Sequence, residues 1–132
     1  MTVEFTIHGK VTSANSVTRH IGILVDQKAQ ARALKSKSAR EDTERIKSIA
    51  FAAKVQAGWI VPHRARISIL AYNSKLDVDN IAKTILDSIK KGLLIVDDRP
   101  THLKSCFTDH QDPDHLGERY RVLVEDVAAS LL

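Results

Sequence analysis

An α+β domain, with two helices packed on a single mixed β-sheet, is the fold predicted by three features of this sequence. Two segments repeat apolar residues at helical spacing, one around Ile46 and one around Ile85, and each runs up to a glycine, Gly58 or Gly92. Short segments around them alternate apolar and polar residues, as half-buried strands do. The 132 residues, 43% hydrophobic and 27% charged, suit one core of ordinary size and argue against wholesale disorder. Residues 1–132 therefore read as one domain, with a basic arm over residues 10–38.

The elements follow in order. Residues 2–8 place Val3, Phe5 and Ile7 on one face and Thr2, Glu4, Thr6 and His8 on the other, which predicts a strand ended by Gly9. A structureless loop as long as the next segment is uncommon in a small domain, so a short second strand is expected over residues 21–25. Ser38 and Glu41 have capping-box spacing, and Ile46, Ile49, Ala50, Ala53 and Ala57 continue it, predicting a helix over residues 39–57. Trp59 then reads as a core or edge anchor. Residues 64–72, built on Ile67, Ile69 and Leu70, predict a strand that delivers the chain to Asp77. A second helix, capped by Asp79 or Asn80, buries Ile81, Ile85 and Ile89 and stops at Gly92. Residues 93–96 read as a short buried strand, residues 101–108 as a returning strand, and Tyr120, Val122 and Val124 mark the last one. The segment 109–115, rich in Asp and His but broken by Pro113, reads as an exposed hairpin loop rather than a metal site.

Composition narrows the function classes. Cys106 is the single cysteine, which excludes an internal disulfide, and it reads as a small buried or half-buried side chain. No apolar run reaches membrane-spanning length, and the opening residues lack the basic and apolar regions of a signal peptide, so a soluble intracellular protein is expected. The net charge is +4. Over residues 10–40, Lys10, Arg19, Lys28, Arg32, Lys35, Lys37 and Arg40 face the single acid Asp26, a local net charge of +6. Such a segment suits the phosphate backbone of a nucleic acid, or else a solvated loop.

Chemistry concentrates in two acidic pairs. Asp77 and Asp79 are two apart, so in an extended chain both would point to one face, a spacing that suits a hard divalent cation completed by waters and a substrate phosphate. A third carboxylate is expected from Asp97 or Asp98, after the second helix. Lys83, placed in the first turn of that helix and four residues after Asp79, sets an ammonium beside the carboxylates, where it can reach a phosphate oxygen. Asp and Asn before a helix are also ordinary caps, and Asp before Arg-Pro is an ordinary turn opener. Lys83 and the basic segment tip the reading towards metal-dependent phosphate chemistry.

The run Asp77-Val-Asp79-Asn80-Ile-Ala-Lys83, then Asp87 in the same helix, Gly92, and Asp97-Asp98 after a short apolar run, resembles the RusA family of Holliday junction resolvases. The opening Phe-Thr-Ile-x-Gly-Lys strand is similar as well. The resemblance implies a metal-dependent endodeoxyribonuclease that resolves four-way DNA junctions in recombination and repair. It further implies a homodimer using Mg2+, with Mn2+ as substitute, and a cytoplasmic protein, bacterial or phage-encoded, at work on the nucleoid. By the same resemblance, metal falls to Asp77, Asp79 and Asp98 with Asp97 beside it, Lys83 joins the catalytic set, and Asn80 and Asp87 support it. The basic arm departs from the pattern: its lysines and arginines are spaced where the family often has a denser arginine run. A non-catalytic junction-binding protein of the same fold and a broader flap or single-strand nuclease are the alternatives.

Overall fold

The computed structural model describes residues 1–12 and 37–127. The strand expected over residues 21–25, and the basic residues Arg19, Lys28, Arg32 and Lys35, lie outside the described residues. Among the described residues six elements follow one another: β1 (Thr2–His8), α1 (Lys37–Ala57), β2 (Ala65–Tyr72), α2 (Val78–Lys91), β3 (Leu103–His110) and β4 (Arg119–Asp126). They form one four-stranded mixed sheet with two helices, as the sequence predicts. The sheet order is β1-β4-β2-β3. β4 runs antiparallel to both β1 and β2, and β3 is parallel to β2.

The parallel pair explains where α2 lies. Two parallel neighbours need a crossover connection, and α2 is the helix of that β2–α2–β3 unit. Its Ile81, Ile85 and Ile89 are fully buried. They share one core with Val3, Phe5 and Ile7 of β1, Ile67 and Ile69 of β2, Val122 and Val124 of β4, and Ile46 and Ala50 of α1. Both helices therefore cover the same sheet face, and the strand residues alternating with this set face away from it. Gly92 lets α1 approach the end of α2 closely, since a Cβ there would stand 3.2 Å from the Ala50 Cβ.

Four expectations need correction. α1 already includes Lys37 and Ser38, so Ser38 lies inside the helix instead of capping it at residue 39. The apolar run 93–96 forms no strand. The N–H groups of Gly92, Leu93 and Leu94 donate to Ser88, Lys90 and Ile89 carbonyls at the helix end, so they are spent before any ladder can use them. Leu94 and Ile95 are instead buried as a plug, and the Leu94 carbonyl accepts the indole N–H of the buried Trp59 at 3.0 Å. That contact makes Trp59 a core anchor. Lastly, segment 109–115 is no hairpin loop, because β2 lies between β3 and β4 and the segment crosses the end of β2. It wraps the Asn73 side chain, which donates to the Asp114 carboxylate and the Gly117 carbonyl and accepts the Asp114 N–H. The fourth correction concerns the start of α2 and is taken up with the site.

Candidate active site

The site grows from the C-terminal end of β2. Beyond Tyr72 the chain turns at Asn73, whose φ of 57° is one that asparagine tolerates, and runs through Ser74 and Leu76 to Asp77. Asp77 is the N-cap of α2: its backbone is extended, and its carbonyl accepts the Ile81 N–H at 3.1 Å. The helix thus opens two residues before Asp79 and three before Asn80, the two expected caps. Asp79 is accordingly a first-turn residue rather than a strand neighbour, so the two carboxylates share the N-terminal end of a helix and not one face of a sheet. Lys83 falls in the second turn, where the opposing helix dipole has faded.

An N-cap aspartate ordinarily bonds the exposed N–H groups of the first turn. The Asp77 side chain makes no such bond. Asp77 and Asp79 are both exposed, and neither carboxylate has a partner among the described residues. Lys83 is likewise exposed and forms no ion pair among them. Asn80 and Asp87 are half-buried on the same helix. The carboxylates are therefore unspent, with every lone pair available to a hydrated hard cation, as magnesium coordination by one or two carboxylates requires.

The second acidic pair lies at the other end of α2. Lys90 places its ammonium 3.7 Å from the Asp97 carboxylate and 3.8 Å from that of Asp98. Asp97 also accepts the Asp98 N–H at 2.8 Å and pairs with the Arg99 guanidinium at 3.0 Å. The Asp98 amide, with Arg99 and Lys90, holds the Asp97 carboxyl below its ordinary value. Asp98 is the freer of the two, with a side chain 44% exposed against 26% for Asp97. The thirteen steps from Asp77 to Lys90, at about 1.5 Å each, span about 20 Å of helix axis. Lys90 reaching back towards the helix N-terminus does not close that gap. Among the described residues no three His, Cys, Asp or Glu side chains gather as a metal cluster.

The basic arm starts beside this helix. Arg45 donates to the carbonyls of His8 and Lys10, and Asp42 accepts both the N–H and the hydroxyl of Thr12. Thr84, next to Lys83, donates its hydroxyl to the Thr12 carbonyl at 3.2 Å. Residues 8–12 are thereby fixed against α1 and α2. Lys10, Lys37 and Arg40 are exposed, and Lys37 stands 4.0 Å from Glu41. Sequence reasoning missed Asp42, Arg45, Thr84 and Lys90, whose roles depend on contacts across the fold and not on local spacing. Cys106 is half-buried, and burial pushes its thiol pKa up, which suits no nucleophile.

The sequence model of the family described as Endodeoxyribonuclease RusA matches residues 10–111. The chain belongs to the RusA family. It is thus an endodeoxyribonuclease of the family that resolves Holliday junctions. The match spans the acidic pairs, Lys83 and the segment 10–40, so the chemistry and the basic arm both fall inside it. No curated protein matches the chain. Among the described residues, no helix is long and apolar enough to cross a membrane.

Proposed function

We propose that this RusA-family endonuclease cuts four-way junctions as a magnesium-dependent homodimer, with Mn2+ able to substitute. The observation that carries the metal assignment is the N-cap carboxylate of Asp77, left without a cap bond beside an equally unpartnered Asp79. Bound there, the cation would activate water and offset charge on the scissile phosphate. Lys83, exposed and unpaired among the described residues, supplies further positive charge to the phosphate in the transition state. Asn80 and Asp87 support the same helix face. Lys10, Lys37 and Arg40, continued by Arg19, Lys28, Arg32 and Lys35, take the junction backbone, which sets orientation and salt dependence.

The third carboxylate is the reason for a dimer. Within one chain α2 holds Asp98 and Asp97 far from Asp77 and Asp79, so a single copy offers two half-sites. A second copy related by a two-fold axis joins the Asp98 end of one chain to the Asp77 end of the other, and yields two sites for the two strands cut in a junction. Asp98 is the better ligand of its pair because Asp97 is already engaged by Arg99 and the Asp98 amide.

Cleavage of four-way junction, flap, duplex and single-stranded DNA of matched sequence, each with Mg2+, Mn2+ or EDTA, tests the proposal. Metal-dependent cutting confined to the junction supports it. Equal cutting of flaps or single strands would make the protein a broader nuclease, and junction binding without cutting in any metal would make it a binding module.

A further inference from the structure

Two hydrogen-bonded devices converge on one residue, Leu76, immediately before Asp77, and hold the two successive peptide groups on either side of its Cα. On one side, the Leu76 N–H meets the Ser74 hydroxyl oxygen at 3.2 Å, Ser74 meets the Tyr120 hydroxyl at 2.7 Å, and Tyr120 meets the Glu118 carboxylate at 2.6 Å. The direction of this chain follows from its ends. An amide N–H can only donate and a carboxylate can only accept, so Leu76 donates to Ser74, Ser74 to Tyr120 and Tyr120 to Glu118. On the other side, the Leu76 carbonyl lies 2.9 Å from the His110 Nε2, which must carry the proton and donate it. His110 is set for this by the parallel ladder, where it pairs with Ala71 at the end of β2.

We propose that His110, together with Ser74, is a positioning residue for Asp77: the pair fixes the backbone N–H and C=O of Leu76, and with them the two peptide groups that lead into Asp77, and so aims the uncapped Asp77 carboxylate at its metal. The proposal rests on the metal reading of Asp77 given above. Orientation needs an external source here, because the Asp77 side chain makes no cap bond that would hold it. Hydrogen-bonding partners one step removed from a metal ligand commonly tune affinity by 10- to 100-fold. A purely structural role predicts something else. The His110 ring is exposed, and its one hydrogen bond among the described residues is to Leu76, so its loss should scarcely move global stability.

The test is Mn2+ binding to the full chain, followed by the electron paramagnetic resonance of free Mn2+, with junction cleavage and thermal unfolding measured in parallel. The variants are His110→Ala, His110→Gln, Ser74→Ala and Asp77→Asn. A roughly 10-fold weaker Mn2+ affinity in His110→Ala, with Tm held, is expected. His110→Gln should recover most of it, since its amide N–H reaches the same carbonyl, and Ser74→Ala should lie between. Wild-type affinity in His110→Ala, or equal losses in His110→Ala and His110→Gln, would overturn the positioning role while leaving the metal reading intact. Wild-type Mn2+ binding by Asp77→Asn, or no binding by the wild type with or without junction DNA, would overturn both.

Discussion

Replacing Gly92 by alanine should destabilise the protein although no polar contact is lost. A Cβ at Gly92 would stand 3.2 Å from the Ala50 Cβ, 3.3 Å from the Lys47 carbonyl oxygen and 3.4 Å from the Ser88 carbonyl oxygen. The Ala50 Cβ and the Lys47 carbonyl oxygen both belong to α1 and neither can rotate aside, so α1 and α2 must part. Overpacking of this kind costs about 1–3 kcal/mol. The φ of −78° suits any residue, so the backbone adds no strain, and alanine recovers about 0.4–1 kcal/mol by restricting the unfolded chain. The net loss centres on about 1.3 kcal/mol. Urea unfolding read by Trp59, the single tryptophan and packed against Leu94, should show a lower midpoint at unchanged slope. Gly58 provides the contrast: its φ is +62° and nothing lies within 4 Å of a Cβ there. Gly58→Asn should be well tolerated, whereas Gly92→Asn should be worse than Gly92→Ala. A Gly92→Ala midpoint equal to or above wild type would refute the close approach of the two helices.

Asp77→Asn and Asp79→Asn should each leave stability within about 0.5 kcal/mol of wild type, since neither carboxylate holds a folded-state partner; thermal unfolding checks this. Lys83→Ala should lower turnover far more than junction affinity, and equal losses in both would reduce Lys83 to a backbone contact. Mixing Asp77→Asn with Asp98→Asn protein, each inactive alone, should restore cleavage at one site per mixed dimer; no recovery on subunit exchange would place each site within one chain. Arg119 and the Leu116 N–H hold the Asp114 carboxyl well below its ordinary value. A depressed folded-state pKa stabilises above the unfolded value, near 3.9, and its effect is lost as pH falls through the folded value. The wild-type advantage over Asp114→Asn in urea midpoint should therefore hold from about pH 7 to 5 and shrink below about pH 4; an advantage that grows in acid would contradict the ion pair.

Local pattern carried most of the fold. The alternation of Val3, Phe5 and Ile7, and the spacing of Ile81, Ile85 and Ile89, are direct images of burial on one sheet face and one helix face. Pattern failed where a segment's partner decides its state. Four apolar residues from Leu93 to Val96 fit a buried strand as well as a plug, and only the helix carbonyls that claim the N–H groups of Leu93 and Leu94 settle the choice. Alternation likewise marked β3 and β4 as strands, but not that β2 separates them. At the candidate site the sequence offers residue types without their geometry: an extended chain would set Asp77 and Asp79 on one face, whereas they open a helix, and that helix lies between the acidic pairs. Nothing in the sequence ties His110 or Ser74 to Asp77, since each acts through the backbone of Leu76 across the fold: Ser74 on its N–H and His110 on its carbonyl.

Cleavage of a labelled mobile four-way junction by the wild type, Asp77→Asn and Asp79→Asn, with binding measured alongside, tests the central claim most directly. Paired, symmetric nicks that require Mg2+ or Mn2+ and vanish in both variants, while junction binding survives, are the predicted result. Undiminished nicking by either variant would contradict the assignment of metal to the N-terminal end of α2.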